Sequence, residues 1–185
     1  MCRYKLKYSN LSENRMKYLL IPFVTIFLLM SGCATHHPQN AEEFRQAAPS
    51  AFMGKKEIFE VNRSYKDVAR TFKKKAPQCL NIRVKTTSQT STSYQVLVTR
   101  YKPTVVVTSQ RAELHVQQHH ETGVLKVTKE PEGGYYLVVT DAYPVGKNKT
   151  KIVMYRPSMG YDVMIKAIKG WTTGKNMGCP DMTKI

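Results

Sequence analysis

The sequence predicts an α+β domain in which an antiparallel β-meander sheet is packed by a C-terminal helix. Three observations support this fold class. Residues 82 to 156 are rich in Val, Thr and Tyr, which often alternate with polar residues, as is typical of strands. The breaks between these segments are short and turn-rich, which favours antiparallel neighbours. Helical periodicity precedes this region and returns after it.

The first elements are a short strand and a helix. Residues 56 to 61 (KEIFEV) indicate the strand. Ser64 then opens the helix, with Asp67 three residues later in a near match to a capping box. Apolar residues share one face of this helix at Tyr65, Val68, Ala69, Phe72, Ala76 and Cys79. Pro77 is expected to end or kink the helix near its last turn.

Six strand segments and a second helix complete the domain. The predicted strands cover residues 82–87, 94–101, 104–119, 123–129, 135–143 and 151–156. The second helix covers residues 158–173, with a broad apolar stripe that includes Tyr161 and Trp171, and Gly174 is its predicted stop. Because a sheet with one apolar face needs a cover, this helix is expected to supply it.

The order of elements has a further implication. Strand, helix, long meander and C-terminal helix, together with the segment VNRSYKDVARTF, resemble the helix-grip fold of START-like domains. They are also similar to the domains of the C lipoprotein of the β-barrel assembly machinery. A cystatin-like curved sheet is the alternative fold.

The N-terminal region carries an export signal. Lys17 is followed by an apolar run of 13 residues, 18 to 30, which is shorter than the roughly 20 residues that span a bilayer. Ser31, Gly32 and Cys33 follow directly. The sequence Met-Ser-Gly-Cys resembles the lipobox of bacterial lipoproteins. The resemblance implies that residues 1–32 are a signal peptide, that cleavage occurs before Cys33, and that lipid is attached to its thiol.

The same resemblance predicts where the protein resides. Residue 34 is alanine, whereas in enterobacterial members of that family aspartate at this position marks inner-membrane retention. The cell outer membrane is therefore expected, with the protein lipid-anchored and facing the periplasm. Met16 is an alternative translation start. Residues 33–56 are expected to be the lipidated cysteine and a flexible tether, in which residues 42–47 are compatible with a short helical turn, and residues 57–185 a single domain.

Two further cysteines, Cys79 and Cys179, predict a disulfide because an exported chain meets an oxidising compartment. They lie at the ends of the two predicted helices, so the bond would fix the C-terminal tail to the first helix. No C-x-x-C motif supports a redox role.

The charge balance predicts an anionic neighbour. The chain has 29 Lys and Arg against 13 Asp and Glu; five cations and one acid precede Cys33, which leaves 24 against 12 from there on. Two lysine groups are candidate contacts with an anionic membrane surface: Lys73, Lys74 and Lys75, and Lys147, Lys149 and Lys151. A solvated helix face and hairpin tip are the alternative interpretation. Nucleic acid is disfavoured as a partner by the extracytoplasmic location.

The sequence contains no recognisable catalytic motif. A serine nucleophile elbow, a P-loop and a zinc-protease motif are all absent, so no catalytic residue or cofactor is predicted. His115 and His119 would lie about 13 Å apart on a strand, too far to share a metal ion, and are interpreted as surface residues. The expected function is a non-catalytic envelope binding or assembly module, with envelope proteins or anionic lipid as partners. A carrier of a lipid or other apolar ligand between the sheet and the C-terminal helix is the first alternative, and an envelope hydrolase the second.

Overall fold

The computed structural model describes residues 37–89, 94–122, 130–175 and 178–184. These residues form three α-helices, six strands and a short 3-10 helix. In chain order the elements are α1 (Ala41–Ala47), β1 (Gly54–Val61), α2 (Tyr65–Leu80), β2 (Ile82–Gln89), β3 (Tyr94–Val107), β4 (Ala112–Thr122), β5 (Tyr135–Gly146), β6 (Lys149–Pro157), α3 (Asp162–Thr173) and the 3-10 helix Met182–Lys184. The predicted α+β fold class, with its antiparallel meander and C-terminal helix, is confirmed.

The six strands form one sheet in the order β1-β6-β5-β4-β3-β2, and every neighbouring pair is antiparallel. Strands β2 to β6 follow one another as a meander. Strand β1 then pairs with β6 over its whole length, from Gly54 opposite Pro157 to Val61 opposite Thr150. The first and last strands of the chain are therefore neighbours, and β1 and β2 are the two edges.

Helix α2 begins as the sequence predicts, but it does not end at its proline. The Ser64 hydroxyl accepts a hydrogen bond from the backbone N–H of Asp67 at 3.2 Å, which caps the first turn. The helix then continues through Pro77 to Leu80, so Pro77 lies in the last turn, as predicted, but does not end the helix. Because Pro77 lies on the exposed side, water can satisfy the carbonyl that loses its hydrogen bond there.

The reversal between β3 and β4 also differs from the prediction. Strand β3 continues through Pro103 to Val107, whereas the sequence divided this region into segments 94–101 and 104–119. The turn uses the side chain of Thr108, whose hydroxyl accepts hydrogen bonds from the backbone N–H groups of Gln110 and Arg111. A threonine turn of this kind carries neither Gly nor Pro, so the pattern of breaks did not reveal it. The predicted strand at 123–129 lies outside the described residues.

Helix α3 starts later than predicted, at Asp162. Tyr161 precedes it in a left-handed conformation with φ of 56°, and its hydroxyl donates to Oε1 of Gln118 at 2.7 Å. Gly174 ends the helix with φ of 79°, as predicted, and its N–H bonds back to the last turn.

The core lies between one face of the sheet and the two long helices. Side chains from α2, α3 and the central strands form a single apolar cluster. Its largest fully buried members include Phe72, Leu114, Met154, Ile168 and Trp171. In the described part of the chain, the space between the sheet and α3 is thus occupied by side chains.

None of the helices in the described residues is long and apolar enough to cross a bilayer.

Candidate functional site

The sheet face opposite the core carries the N-terminal helix α1. Alternation along β4 places Ala112, Leu114 and Val116 in the core and sends Glu113 and His115 to this outer face. Helix α1 packs across it next to β5. The structure therefore differs from the expected boundary, because residues from His37 onward belong to the folded unit rather than to a tether.

A reciprocal cap starts α1. The side-chain oxygen of Asn40 accepts from the N–H of Glu43 at 2.8 Å, while the Asn40 amide donates to the Glu43 carboxylate at 2.7 Å. The helix has only seven residues, too few to be stable alone, so its contacts with the sheet must hold it.

The main contact is a buried ion network around Arg45. Its Nε donates to one oxygen of Asp141 at 2.7 Å and its Nη2 to the other at 2.8 Å, which makes a bidentate pair. The same Nη2 also donates to Glu113. Asp141 is completely buried, and Arg45 and Glu113 retain less than a tenth of their exposure. The register explains the grouping, because Glu113 is directly opposite Asp141 in the β4–β5 ladder.

His115 extends the network along β4. Its Nδ1 lies 2.8 Å from Oε1 of Glu113, and its ring lies 5.3 Å from the ring of Tyr136. The ring of Phe44 from α1 also lies near Tyr136, with 6.0 Å between the two ring centroids. His115 is buried, so its interpretation as a surface residue is wrong. The helix is thus held by one charged and one aromatic contact.

The electrostatics identify the network as a structural clamp. The hydrogen bond with His115 lowers the pKa of Glu113, burial opposes this, and Arg45 lowers it further, with a result of about 2. The pKa of the Arg45 guanidinium is raised above its ordinary value, and the hydrogen bond with Asp141 is the main cause. At neutral pH Glu113 is therefore an ionised hydrogen-bond acceptor rather than a proton donor. Within the described residues, no group of three or more His, Cys, Asp and Glu side chains is placed to hold a metal ion.

The predicted disulfide is present. Cys79 at the end of α2 is bonded to Cys179 in the C-terminal tail, with the two Cα atoms 4.8 Å apart. The bond closes a segment with a sequence separation of 100 and fixes the tail to the helix. Cys33 and the export signal lie outside the described residues.

The predicted lysine groups lie on two separate elements. Lys73, Lys74 and Lys75 follow one another on α2, and the first two are exposed. Lys147, Lys149 and Lys151 lie at the β5–β6 hairpin, where Lys149 is 3.7 Å from Glu60. Neither group belongs to the Arg45 network.

Sequence reasoning missed Arg45, Glu113 and Asp141 as a group. The available signal was an acid inside the largely apolar run LVVTDAY around Asp141. A carboxylate in such a run needs a cation, although the sequence did not show which of the 24 would supply it.

In comparisons with known proteins, no family model matches the chain, and no curated protein or solved structure matches it either.

Proposed function

We propose that this chain is a lipid-anchored envelope protein whose domain acts as a non-catalytic binding or assembly module at the membrane surface. The observation that carries the proposal is the short distance along the chain between Cys33 and the folded unit. His37 already contacts the sheet, with its ring 4.9 Å from that of Tyr135. Four residue steps therefore separate the lipid-bearing cysteine from the domain, at most about 14 Å of extended chain.

This arrangement suits a protein that holds its position rather than reaching for distant partners. A flexible tether of more than 20 residues would let a domain explore the surrounding space. Here Arg45 fastens the connecting segment to the sheet instead. A lipid on Cys33 would then keep the domain close to the membrane surface, which favours a module that acts there.

The most buried charged cluster supports a non-catalytic role. Its acids are already engaged with Arg45 and His115, and Glu113 titrates far below neutral pH. General acid catalysis near neutral pH needs a group with a pKa close to the working pH. The cluster is instead suited to stabilising α1.

The carrier alternative has less support. It needs an open space between the sheet and α3, and in the described residues Ile168 and Trp171 fill that position with no more than 1% of their surface exposed. An apolar ligand would have to displace these side chains.

The anchoring is tested with Cys33→Ala in cells that process lipoproteins. Membrane fractionation is expected to move the variant to the soluble fraction or to leave it uncleaved, and mass spectrometry should find lipid on Cys33 of the unchanged protein. Cys2→Ala is the matched control, because this cysteine precedes the apolar run and lies outside the Met-Ser-Gly-Cys motif, so its loss should not affect lipidation. An unlipidated N terminus elsewhere in the unchanged protein would refute the anchoring.

The module role is tested by crosslinking the anchored protein in membranes and isolating it under denaturing conditions. A reproducible protein adduct supports an assembly role. A tightly held lipid in place of any protein adduct would favour the carrier instead.

A further inference from the structure

At one end of the sheet, several large apolar side chains are exposed to solvent and do not contribute to the core. Phe52 is fully exposed, Met159 is 64% exposed and Met53 is 40% exposed. Phe52 and Met53 precede β1, and Met159 follows β6. Exposed large apolar side chains that cluster in this way commonly mark an interaction surface.

The two loops that carry these side chains are joined. The backbone N–H of Ser158 donates to the carbonyl of Met53 at 2.7 Å, directly beyond the Gly54–Pro157 pair of the sheet. Phe52, Met53 and Met159 are therefore presented together, and we refer to these three residues as the apolar tip.

Each loop of the apolar tip is held in place. Gly54 packs so closely on Ala48, the residue after α1, that an added Cβ would lie 1.6 Å from the Ala48 carbonyl oxygen. On the other loop, Gly160 and Tyr161 both adopt left-handed conformations, and the Tyr161 hydroxyl is bonded to Gln118. The three exposed side chains thus extend from backbone that is held in place.

His37, the first described residue, packs at this same end of the sheet. In the β5–β6 ladder Val139 is opposite Tyr155, so Tyr135 and Pro157 both lie beyond that pair in the same direction. His37 packs on Tyr135, four residue steps from Cys33. A lipid on Cys33 would therefore bring the bilayer to within about 14 Å of the end that carries the apolar tip.

We infer that the apolar tip inserts into the interface of the bilayer that holds the Cys33 lipid. This inference rests on the proposed lipid anchoring. Aromatic and apolar side chains partition into the interfacial region, where the anchored protein is already held. Lys55 and Lys56 follow the tip, and their charges complement anionic head groups. The anchor and the tip together give the domain a fixed orientation.

The orientation reverses one expectation from the sequence. Strand β5 has 12 residues, so its hairpin end lies about 36 Å from Tyr135. With the apolar tip in the interface, Lys147 and Lys149 point away from that bilayer. They are then available to an anionic partner in the surrounding compartment.

The test uses the full chain, processed in a lipoprotein-producing bacterium and reconstituted in vesicles of mixed zwitterionic and anionic phospholipid. Phe52→Trp places a fluorescent reporter in the tip, and Val145→Trp places one at the hairpin end, where Val145 is also exposed. The single natural tryptophan, Trp171, is buried in the core and supplies the background, which the unchanged protein measures. Phospholipids brominated near the head group quench tryptophans that enter the interface.

The expected result is a blue-shifted emission of Phe52→Trp that brominated lipid quenches strongly, while Val145→Trp is quenched no more than the unchanged protein. Flotation of the vesicles measures anchoring separately. If the protein floats with the vesicles but both variants are quenched equally little, the tip faces water or another protein and the inference fails while the anchoring stands. If the protein does not float, the anchoring and the inference fail together.

Discussion

Replacing Arg45 with methionine is expected to weaken the domain severely, because it leaves two buried carboxylates with only the partly exposed Arg111 as a cation, at 3.3 Å from Glu113 and 3.9 Å from Asp141. Asp141 is completely buried, and Glu113 is 7% exposed. Removal of one partner from a buried ion pair typically costs about 3–5 kcal/mol. With a urea dependence of about 2 kcal/mol per molar, the unfolding midpoint should fall by roughly 2 M. Trp171 fluorescence reports the transition, since this residue lies in the core on the opposite face of the sheet.

A matched control separates the buried contact from charge in general. Glu42 also pairs with Arg45, at 3.1 Å, but its side chain is 64% exposed. Glu42→Ala should therefore change stability by no more than about 1 kcal/mol. Adding Asp141→Asn and Glu113→Gln to Arg45→Met should recover part of the lost unfolding free energy, because the cluster then contains no buried carboxylate. Equal midpoints for Arg45→Met and Glu42→Ala would refute the reasoning.

Two further predictions concern acid and reduction. Because the folded pKa of Glu113 is about 2, below its ordinary value of 4.5, its contribution is complete above pH 4.5 and is lost as the pH falls towards 2. The loss should approach about 3 kcal/mol in unfolding titrations, and Glu113→Gln, less stable at neutral pH, should lack this part of the pH dependence. Cys79→Ser with Cys179→Ser should lower the unfolding free energy by up to about 4–5 kcal/mol in the chain-entropy model, as measured by urea titration without reductant. Unchanged stability in that pair would show that the bond does not restrict the unfolded chain.

The sequence predicted those parts of the fold that depend on local patterns. The Ser64 cap and the apolar period of α2 are contained in one stretch of chain, and each is confirmed. The pairing of Cys79 with Cys179 followed because only these two cysteines remained after Cys33. Gly174 was recognised as a helix stop because glycine adopts the left-handed conformation readily.

The rest required the three-dimensional arrangement. Glu113 alternates with core residues, as a solvent-facing residue on a strand would, and nothing local distinguishes the two cases. Only the β4–β5 register places it opposite Asp141, and only the return of α1 over that face brings Arg45 between them. Residues 37–53 show no sustained periodic spacing of apolar residues. Helix α1 is held instead by one buried ion network and one aromatic contact. Such a segment is indistinguishable from a tether by composition.

The pairing of β1 with β6 determines when the chain can finish folding. Gly54 finds its partner at Pro157, and Cys79 finds its partner at Cys179, so both contacts join segments about a hundred residues apart. As the chain emerges from a ribosome or a translocation channel, β1 and α2 must wait as an unpaired strand and a half-covered helix. Helix α2 can pack on β3 once that strand is made, but β1 has no partner strand in this interval and is open to wrong partners. The sheet therefore cannot be completed in order from the N terminus, because β1 needs β6. Truncations that remove β6 should leave an aggregation-prone fragment rather than a smaller sheet.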